Sequence, residues 1–530
     1  MSDTPIFDFV IVGAGTAGCV LANRLSADPG LRVALLEAGP RDDKLKIRIP
    51  AAVAAALADP AIGWGYRTVA QKHLNGREIP LPRGRVLGGC SSINGMVYFR
   101  GHPRDFDEWA AAGAAGWSYE DVLPYFRRSE HNQIWNASRY HGRGGPMIVT
   151  DIPRPNALLR RFLDATSSLG YPRCVDFNAA DPEGFGPRQA TIRQGRRESM
   201  VTAFLDPVRH RPNLSVVTDA RVTRIVIEGG RARAVELERA GAKQVASVRR
   251  EVIVAAGSYA SPQLLMLSGL GDGAVLQALG LSVKHHLPGV GACLQDHPAT
   301  VVQMRTTDHT SYGVSWKALP RGAWNLVEYA LWRRGPLASN VLEGTGFVRS
   351  RPNQPRPNLQ LVFMPMLRNP GGSPIPLGHG YGIIPIAIRP GSRGRVYLTS
   401  PDPHVAPAVD PNYLDDPQDL QTLLDGLRIA RRILGASAFA SLNGVEVLPG
   451  AHVTDEQELS EHVRNTAVSV HHPSSTCRMG VDPLAVVDPQ LRVHGLEGLR
   501  VADASVFPRV VAGNTNAAVV MVAEKASDLI

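Results

Sequence analysis

Six residues, Phe7-Asp-Phe-Val-Ile-Val12, read as a buried strand and run straight into Gly13-Ala-Gly-Thr-Ala-Gly18. An apolar-periodic stretch to Leu25 follows, then a second strand pattern, Arg32-Val-Ala-Leu-Leu-Glu37. Strand, Gly-rich turn, helix and strand together predict a β-turn-α-β unit, the opening of a Rossmann-like α/β fold. Each glycine has its own steric task. Gly13 permits the tight turn, Gly15 lets the backbone approach a pyrophosphate, and Gly18 lets helix and strand pack closely. The helix start at Thr16 and Ala17 offers free N–H groups and the positive end of a dipole to an anion. Glu37, 24 residues after Gly13 and followed by Ala38, is placed to accept hydrogen bonds from a ribose diol. The turn specifies a dinucleotide and leaves NAD and FAD open.

A chain of 530 residues suggests two or three domains. With 20% charged and 44% hydrophobic residues it is an ordinary folded protein. No apolar run approaches the roughly 20 residues needed to span a bilayer. The start, Met1-Ser2-Asp3-Thr4-Pro5, has neither a basic n-region nor an apolar h-region, so no signal peptide is expected and the reading is cytoplasmic. Cysteines 19, 90, 174, 293 and 477 are scattered without a CxxC, which argues against a disulfide framework or a metal site and suits a reducing compartment. The net charge of +9 comes from short groups such as Arg160-Arg161, Arg249-Arg250 and Arg333-Arg334. Without a sustained basic tract and interleaved aromatics, nucleic-acid binding is not expected. Membrane contact is at most peripheral. The stretch Leu319 to Arg334, with Trp324, Leu326, Tyr329 and Trp332 between basic flanks, reads either as an interfacial helix or as a helix packed on the protein's own core. The second is favoured, because burial is the usual fate of such apolar stripes.

Pro and Gly punctuate residues 51–94, which read as loops and short pieces. Helices are expected near Asp105–Ala112, Tyr119–Arg128, Pro262–Leu267, Asp416–Leu434 and Ala517–Ile530. Strand patterns occur at Leu214–Val217, Val222–Ile227, Ala234–Leu237 and Val252–Ala255. A further set, Asn358–Phe363, Gly382–Ile388 and Arg395–Thr399, suggests an antiparallel sheet in a second domain.

Four segments then carry a resemblance. Gly84-Arg-Val-Leu-Gly-Gly-Cys-Ser-Ser-Ile-Asn94 and Gly257-Ser-Tyr-Ala-Ser-Pro-Gln-Leu-Leu-Met-Leu-Ser-Gly-Leu-Gly271 resemble the two signatures of the glucose–methanol–choline oxidoreductases. His472-Pro-Ser-Ser-Thr-Cys-Arg-Met-Gly480 and Gly513-Asn-Thr-Asn-Ala517 resemble that family's C-terminal active-site segments. The bacterial members most similar are choline-dehydrogenase-like and sorbose-dehydrogenase-like enzymes, both resembled by Arg100–Trp109. The resemblance implies FAD, a Rossmann-like FAD domain (about 1–150, 205–297 and 471–530) and a substrate domain on a mainly antiparallel sheet covered by helices (about 151–204 and 298–470). It also implies that Arg85, Leu87, Gly88, Gly89, Ser91 and Asn94, with Gly95 and Val97 beyond them, cover the pyrophosphate and flavin edge. Some members attach FAD through a histidine just before the asparagine; Ile93 stands there, so FAD is expected to be non-covalent. Cys90 nearby reads as a buried packing thiol. Val222 matches an adenine contact, though an ordinary strand valine fits it as well. Ala256 and Gly257 form a strand-to-helix turn that approaches the dinucleotide. Asp503 and Ala504 match a segment along the phosphates and ribityl chain; by itself the Asp is a turn residue.

Oxidising an alcohol needs a base for the hydroxyl proton and an acceptor for the hydride. The base should titrate near neutrality, which favours histidine. Among 16 histidines, His472 matches the family's base, while adjacent His471 should point elsewhere. From the residues alone His472 reads as a hydrogen-bonded loop histidine. Asn514, in the family a His or Asn, would orient the substrate oxygen; its other reading is a turn or helix cap. Asn516 is the better-placed cap, at a helix start facing the flavin. Glu343 is a weaker candidate, an anion for a cationic substrate or a salt-bridged carboxylate. The expected function is oxidation of a small alcohol, such as a sorbose-like polyol or choline, with electrons passed to a quinone or dye-like acceptor. An oxygen-using oxidase of aromatic or polyether alcohols, a non-redox lyase or light-driven decarboxylase on the same scaffold, and a NAD-dependent enzyme stay open.

Overall fold

Strand β1 (Ile6–Val12) is buried from Phe7 onward, because it runs through the middle of a sheet covered on both faces. The computed structural model describes residues 5–367 and 377–530; Met1–Thr4, part of the start read for a leader, lie outside the described residues. β1 pairs in parallel with β2 (Val33–Leu36) on one side and with the end of the strand Ala242–Val254 on the other. Leu214–Val217 extends the parallel order beyond β2, and Leu499–Val501 joins it beside Val252–Val254. Such doubly covered strands need continuous apolar runs, and Val10, Ile11, Val33, Ala34, Leu35 and Val252 to Val254 are all fully buried. Helix α1 (Thr16–Leu25) and the C-terminal helix Asn516–Leu529 cover one face together. Gly18 makes the close approach possible: a Cβ there would lie 1.9 Å from the Gly13 carbonyl oxygen.

The strand Ala242–Val254 belongs to two patterns. Its first half pairs antiparallel with Arg231–Arg239, which pairs antiparallel with Ala220–Glu228. That first half was not expected, since Ala242 to Val245 are exposed and mostly polar or small. The turn before it, Ala240-Gly241 with both φ positive, is the hairpin signal that marks it.

A second, eight-stranded sheet runs through Val445–Leu448, Val302–Thr306, His379–Ala387, Leu359–Met364, Gly344–Val348 and Gly184–Pro187, all antiparallel, with two short strands added. The pleat alternates side chains between two buried faces. Leu359, Leu361 and Phe363 meet the helix Pro417–Leu434, whereas Val362 and Met364 join Phe99, Phe177 and Phe347 on the opposite face. The expected α/β architecture with an antiparallel second sheet is therefore present. The segment Arg395–Thr399 does not join that sheet; Arg395–Tyr397 forms a separate ribbon with Ala408–Asp410.

The helix Leu319–Trp332 forms, but not as a core helix. Of its residues only Tyr329 is buried, while Trp324 is 57% exposed, Leu326 63%, Leu331 65% and Trp332 53%. Its apolar stripe faces outward, which corrects the expected packing. Among the described residues no helix is long and apolar enough to cross a membrane.

Candidate active site

The parallel strands end along one edge, and the segments that leave them form a deep cleft. Gly13 follows β1, Glu37 follows β2, Ala255-Ala256-Gly257 follow Val254, and Asp503 follows Val501. The crevice at such strand ends is where open α/β sheets bind ligands. The cleft, counted with the solvent at its mouth, spans about 1780 Å³. Its wall includes Gly13, Gly15, Thr16, Ala17, Glu37, Ala38, Gly89, Asn94, Gly95, Val97, Val222, Ala256, Gly257, Asp503, Ala504, Asn514 and Asn516, together with His472.

The turn is held from several directions. Glu37, buried, accepts hydrogen bonds from the Ala14 N–H (3.0 Å) and the Gly39 N–H (2.9 Å). Burial pushes its carboxyl up to about 7, against those two donors and the Arg85 charge. Asp503 accepts from the Gly257 N–H (2.8 Å) and the Ser261 hydroxyl (2.5 Å), tying two strand ends together. A Cβ on Gly89 would lie 2.8 Å from the Gly15 Cα, whereas one on Gly257 would meet nothing within 4 Å. The cleft thus presents bare backbone on several sides, a free helix start and two buried carboxyl groups, Glu37 and Asp503, a set that fits a dinucleotide.

Some expected residues stand behind this wall. Gly18 packs α1 on the turn, Gly88 donates its N–H to the Ala14 carbonyl (2.8 Å), and Leu87 donates to the Pro40 carbonyl (2.9 Å). The Ser91 hydroxyl donates to the Gly88 carbonyl (2.6 Å), and the Arg85 guanidinium lies over the Trp64 ring. Cys90 is not a buried packing thiol: it is half-buried on the cleft wall, with the Arg83 guanidinium donating to its sulfur at 2.8 Å. His471 also lines the cleft instead of pointing elsewhere. Asn516 is not the helix cap. It is the first helical residue, and its side-chain oxygen accepts the Thr16 hydroxyl at 2.8 Å, joining the two helix starts.

Glu343 does not reach the cleft. Its carboxylate is buried and accepts from the hydroxyls of Tyr312 and Ser339, both at 2.7 Å, and from the Asn156 N–H at 2.6 Å. Burial raises its carboxyl above the usual range. Both its oxygens serve the protein's own loops and neither lines the cleft, which corrects its candidacy as a counter-ion.

His472 and Asn514 are brought together across 42 residues: Asn514 Nδ2 lies 3.0 Å from His472 Nε2. The other ring nitrogen, His472 Nδ1, lies 3.0 Å from His297 Nδ1. Asn514 Oδ1 accepts from Arg188 Nη2 at 3.3 Å, so Nδ2 is the group that donates to the imidazole. Nε2 is then an acceptor, and the ring proton sits on the His297 side. Burial pushes the His472 imidazole well below its ordinary value, and nearby Arg83 and Arg188 act in the same direction. Burial likewise pushes His297 down to about 3. Both rings are held in the neutral form by burial, and the lone pair of His472 Nε2 accepts the Asn514 amide N–H.

Three contributors were not expected. Asp296 holds the backbone beneath the pair, accepting from the N–H groups of His297 (2.9 Å) and His472 (2.8 Å) and the hydroxyls of Tyr413 (2.6 Å) and Ser469 (2.5 Å). His297 fixes the His472 ring from its Nδ1 side, and Arg188 holds the Asn514 amide. The run Gln295-Asp-His-Pro298, with acid and imidazole adjacent, is the signal that could have pointed to the first two. Nothing in the sequence around Arg188 marks it.

The same order of segments is found in known proteins. The GMC oxidoreductase family models match residues 7–299 and 390–523. An alcohol dehydrogenase [acceptor] of Pseudomonas putida is 43% identical over 527 residues, covering 99% of this chain and 96% of the relative. Human mitochondrial choline dehydrogenase is 42% identical over 534 residues, covering 99% and 89%. Among solved structures, pyridoxine 4-oxidase from Mesorbium loti superposes with a TM-score of 0.87 at 32% identity over 98% of both chains. Formate oxidase of Aspergillus oryzae RIB40 does so with 0.92 at 27% identity, covering 100% of this chain and 98% of that one. A sorbose or polyol substrate finds no support among these relatives. Fold, cleft, histidine–asparagine pair and the match along nearly the whole chain agree: the protein belongs to the GMC oxidoreductases and is an FAD-binding enzyme acting on CH–OH groups.

Proposed function

We propose that the chain is a dehydrogenase of small alcohols, with His472 as the base and Asn514 as the residue that orients the substrate oxygen. The observation that carries this reading is the 3.0 Å contact of His472 Nε2 with the Asn514 amide on the wall of the cofactor cleft. FAD, when bound, supplies the hydride acceptor. His472 Nε2 takes the hydroxyl proton as the carbinol C–H bond breaks, and the carbonyl forms with the loss of two electrons. The Asn514 amide donates to oxygen and cannot itself take the proton. Anaerobic mixing of the flavin-loaded enzyme with a panel of alcohols tests the reading. Bleaching of the flavin in the dark is expected, and its absence with every alcohol would remove the assignment.

The electrons go to a quinone or dye-like acceptor in this proposal, and turnover that persists with oxygen alone would replace it with an oxidase. We also infer that the helix Leu319–Trp332 lies on an anionic bilayer surface, where such an acceptor would be found. Exposed Trp316, Trp324, Leu326, Leu331 and Trp332 support this, as do the basic Lys317, Arg321 and Arg334 around them, all exposed. The chain continues from that helix to Asn340, whose side chain donates to the Gly95 carbonyl at 2.7 Å on the cleft wall. Cosedimentation with phosphatidylglycerol-containing vesicles should be lost in a Trp324→Ser/Leu326→Ser variant. Wild-type protein that stays in the supernatant when the vesicles pellet would refute the contact, and a dimer that dissociates in the variant would assign the face to a second copy.

A further inference from the structure

Arg188 is a buried cation without an anion. It is 3% exposed and follows the edge strand Gly184–Pro187, with its backbone N–H fixed on the Glu343 carbonyl at 2.9 Å. Of the guanidinium, Nη2 reaches Asn514 Oδ1 at 3.3 Å, while Nε and Nη1 have no partner. Its Cζ lies 5.4 Å from the centre of the Phe99 ring, in an aromatic group with Phe177 and Phe347. Among the described residues no carboxylate pairs with it. Arg197 likewise lacks a carboxylate and keeps one unpartnered nitrogen, Nη2, but its other nitrogens are used by carbonyls, and the remaining deeply buried arginines have carboxylates. Arg100 meets Glu130 at 2.8 Å, Arg356 meets Asp105 at 2.8 Å and Glu108 at 2.8 Å, and Arg197 donates to the carbonyls of Ile47 and Asn94. Burial alone lowers Arg188, to about 9, a value at which the group still carries its charge at neutral pH.

Keeping a desolvated guanidinium unpaired is costly, and removing its partner from a buried pair is costlier than never having built one. Arginine offers a planar fork of donors that matches two oxygens of one anion. Here two of those donors are unused, and the guanidinium touches the same amide that bonds the catalytic imidazole. The missing oxygens are therefore expected within a few bonds of the reacting carbinol. We infer that Arg188 binds an anionic oxygen group, a carboxylate or sulfonate, carried by the alcohol substrate itself. The inference rests on the reading of His472 and Asn514 as the alcohol-oxidising pair, and it narrows that reading: a quaternary ammonium alcohol would put a second cation beside Arg188, so choline is not the substrate.

The test compares matched alcohols on the FAD-loaded enzyme by anaerobic stopped flow. The pairs are 4-(hydroxymethyl)benzoate against benzyl alcohol, 4-hydroxybutanoate against 1-butanol, and 2-hydroxyethanesulfonate against ethanol, with choline alongside. At least one anion should reduce the flavin about 100-fold more efficiently than its uncharged counterpart, since hydrogen bonds to charged groups are the strong ones. In Arg188→Met that ratio should fall toward one, through the apparent dissociation constant more than through the limiting rate, and Arg188→Lys should keep part of it. A separate equilibrium titration with benzoate, read from flavin absorbance, should show binding weakened about 100-fold in Arg188→Met. Anions that are no better than their neutral counterparts, or a preference that survives in Arg188→Met, overturn the inference while alcohol oxidation stands. If no alcohol of any charge bleaches the flavin, the oxidation reading fails, and the benzoate titration alone decides whether Arg188 is an anion site. If Arg188→Met does not fold, the wild-type pairs and Arg188→Lys decide.

Discussion

Nδ1 of His472 and Nδ1 of His297 face each other at 3.0 Å, so one proton lies between two nitrogens that are both buried and both neutral. Because Asn514 donates to the opposite nitrogen of His472, the shared proton belongs to His472 and His297 is its acceptor. His297 therefore selects the tautomer that leaves Nε2 unprotonated, which the proposed base needs, and it acts as a positioning residue in that proposal. His297→Phe removes the acceptor and leaves a buried N–H unsatisfied, a cost of about 1–3 kcal/mol. The expected result is a flavin-reduction rate lowered roughly 5- to 150-fold with flavin content retained. His297→Asn, which offers an amide oxygen, should recover part of the loss. A rate unchanged in His297→Phe would show that the tautomer is set elsewhere.

His472→Ala removes the proposed base. The loss expected for a general base is about 10²–10⁴ in rate, read in stopped-flow reduction of the flavin under saturating alcohol. The pH dependence separates this role from a structural one. Burial and neighbouring positive charge hold the His472 imidazole well below its ordinary value. The wild-type reduction rate should stay level as pH falls through the ordinary histidine range and decline only below it. A decline centred on that range would mean that the base is a different, solvated group.

The Gly-rich turn was legible from sequence because backbone sterics allow few residues at Gly13 and Gly18, whatever the rest of the chain does. The pair His472–Asn514 was legible only through the family segments around it, since neither residue type is unusual in a loop. Asp296, His297 and Arg188 escaped because their meaning lies in contacts between positions far apart: 175 residues separate His297 from His472, and 326 separate Arg188 from Asn514. Glu343 shows the converse. A lone acid near the expected substrate side looked like a counter-ion, yet local hydroxyls and an N–H use its oxygens. The helix Leu319–Trp332 marks another boundary. Amphipathic spacing predicts that a helix has an apolar face, and it is silent on whether that face meets the protein's own core or something outside it.

Ile93 is 2% exposed and occupies the position that carries the flavin linkage in some relatives of this family. An isoleucine side chain has no nucleophilic atom to form that bond. Acid denaturation followed by centrifugation should leave all the yellow colour in the supernatant, with a free-FAD spectrum. Flavin retained in the pellet would direct attention to Cys90, the thiol on the same wall of the cleft.

Glu37 should make FAD binding pH-dependent. In the fold its carboxyl is pushed up to about 7 by burial, well above the roughly 4.3 of an unfolded glutamate. A raised carboxyl pKa means that the folded, flavin-free protein holds a proton between those two values. The group's contribution to stability is therefore complete below about pH 4.3 and is lost as pH rises through 7. A ribose diol donating to Glu37 favours the ionised form, so FAD binding releases that proton. The FAD dissociation constant should consequently fall as pH rises toward 7, by up to about tenfold per unit, and level off above it. Glu37→Gln removes the titration: its dissociation constant should be weaker near pH 8 and flat from 5.5 to 8. Quenching of flavin fluorescence by the apoprotein measures both curves. A wild-type curve as flat as that of Glu37→Gln would mean that the carboxylate does not meet the ribose and serves only to hold the Ala14 and Gly39 N–H groups.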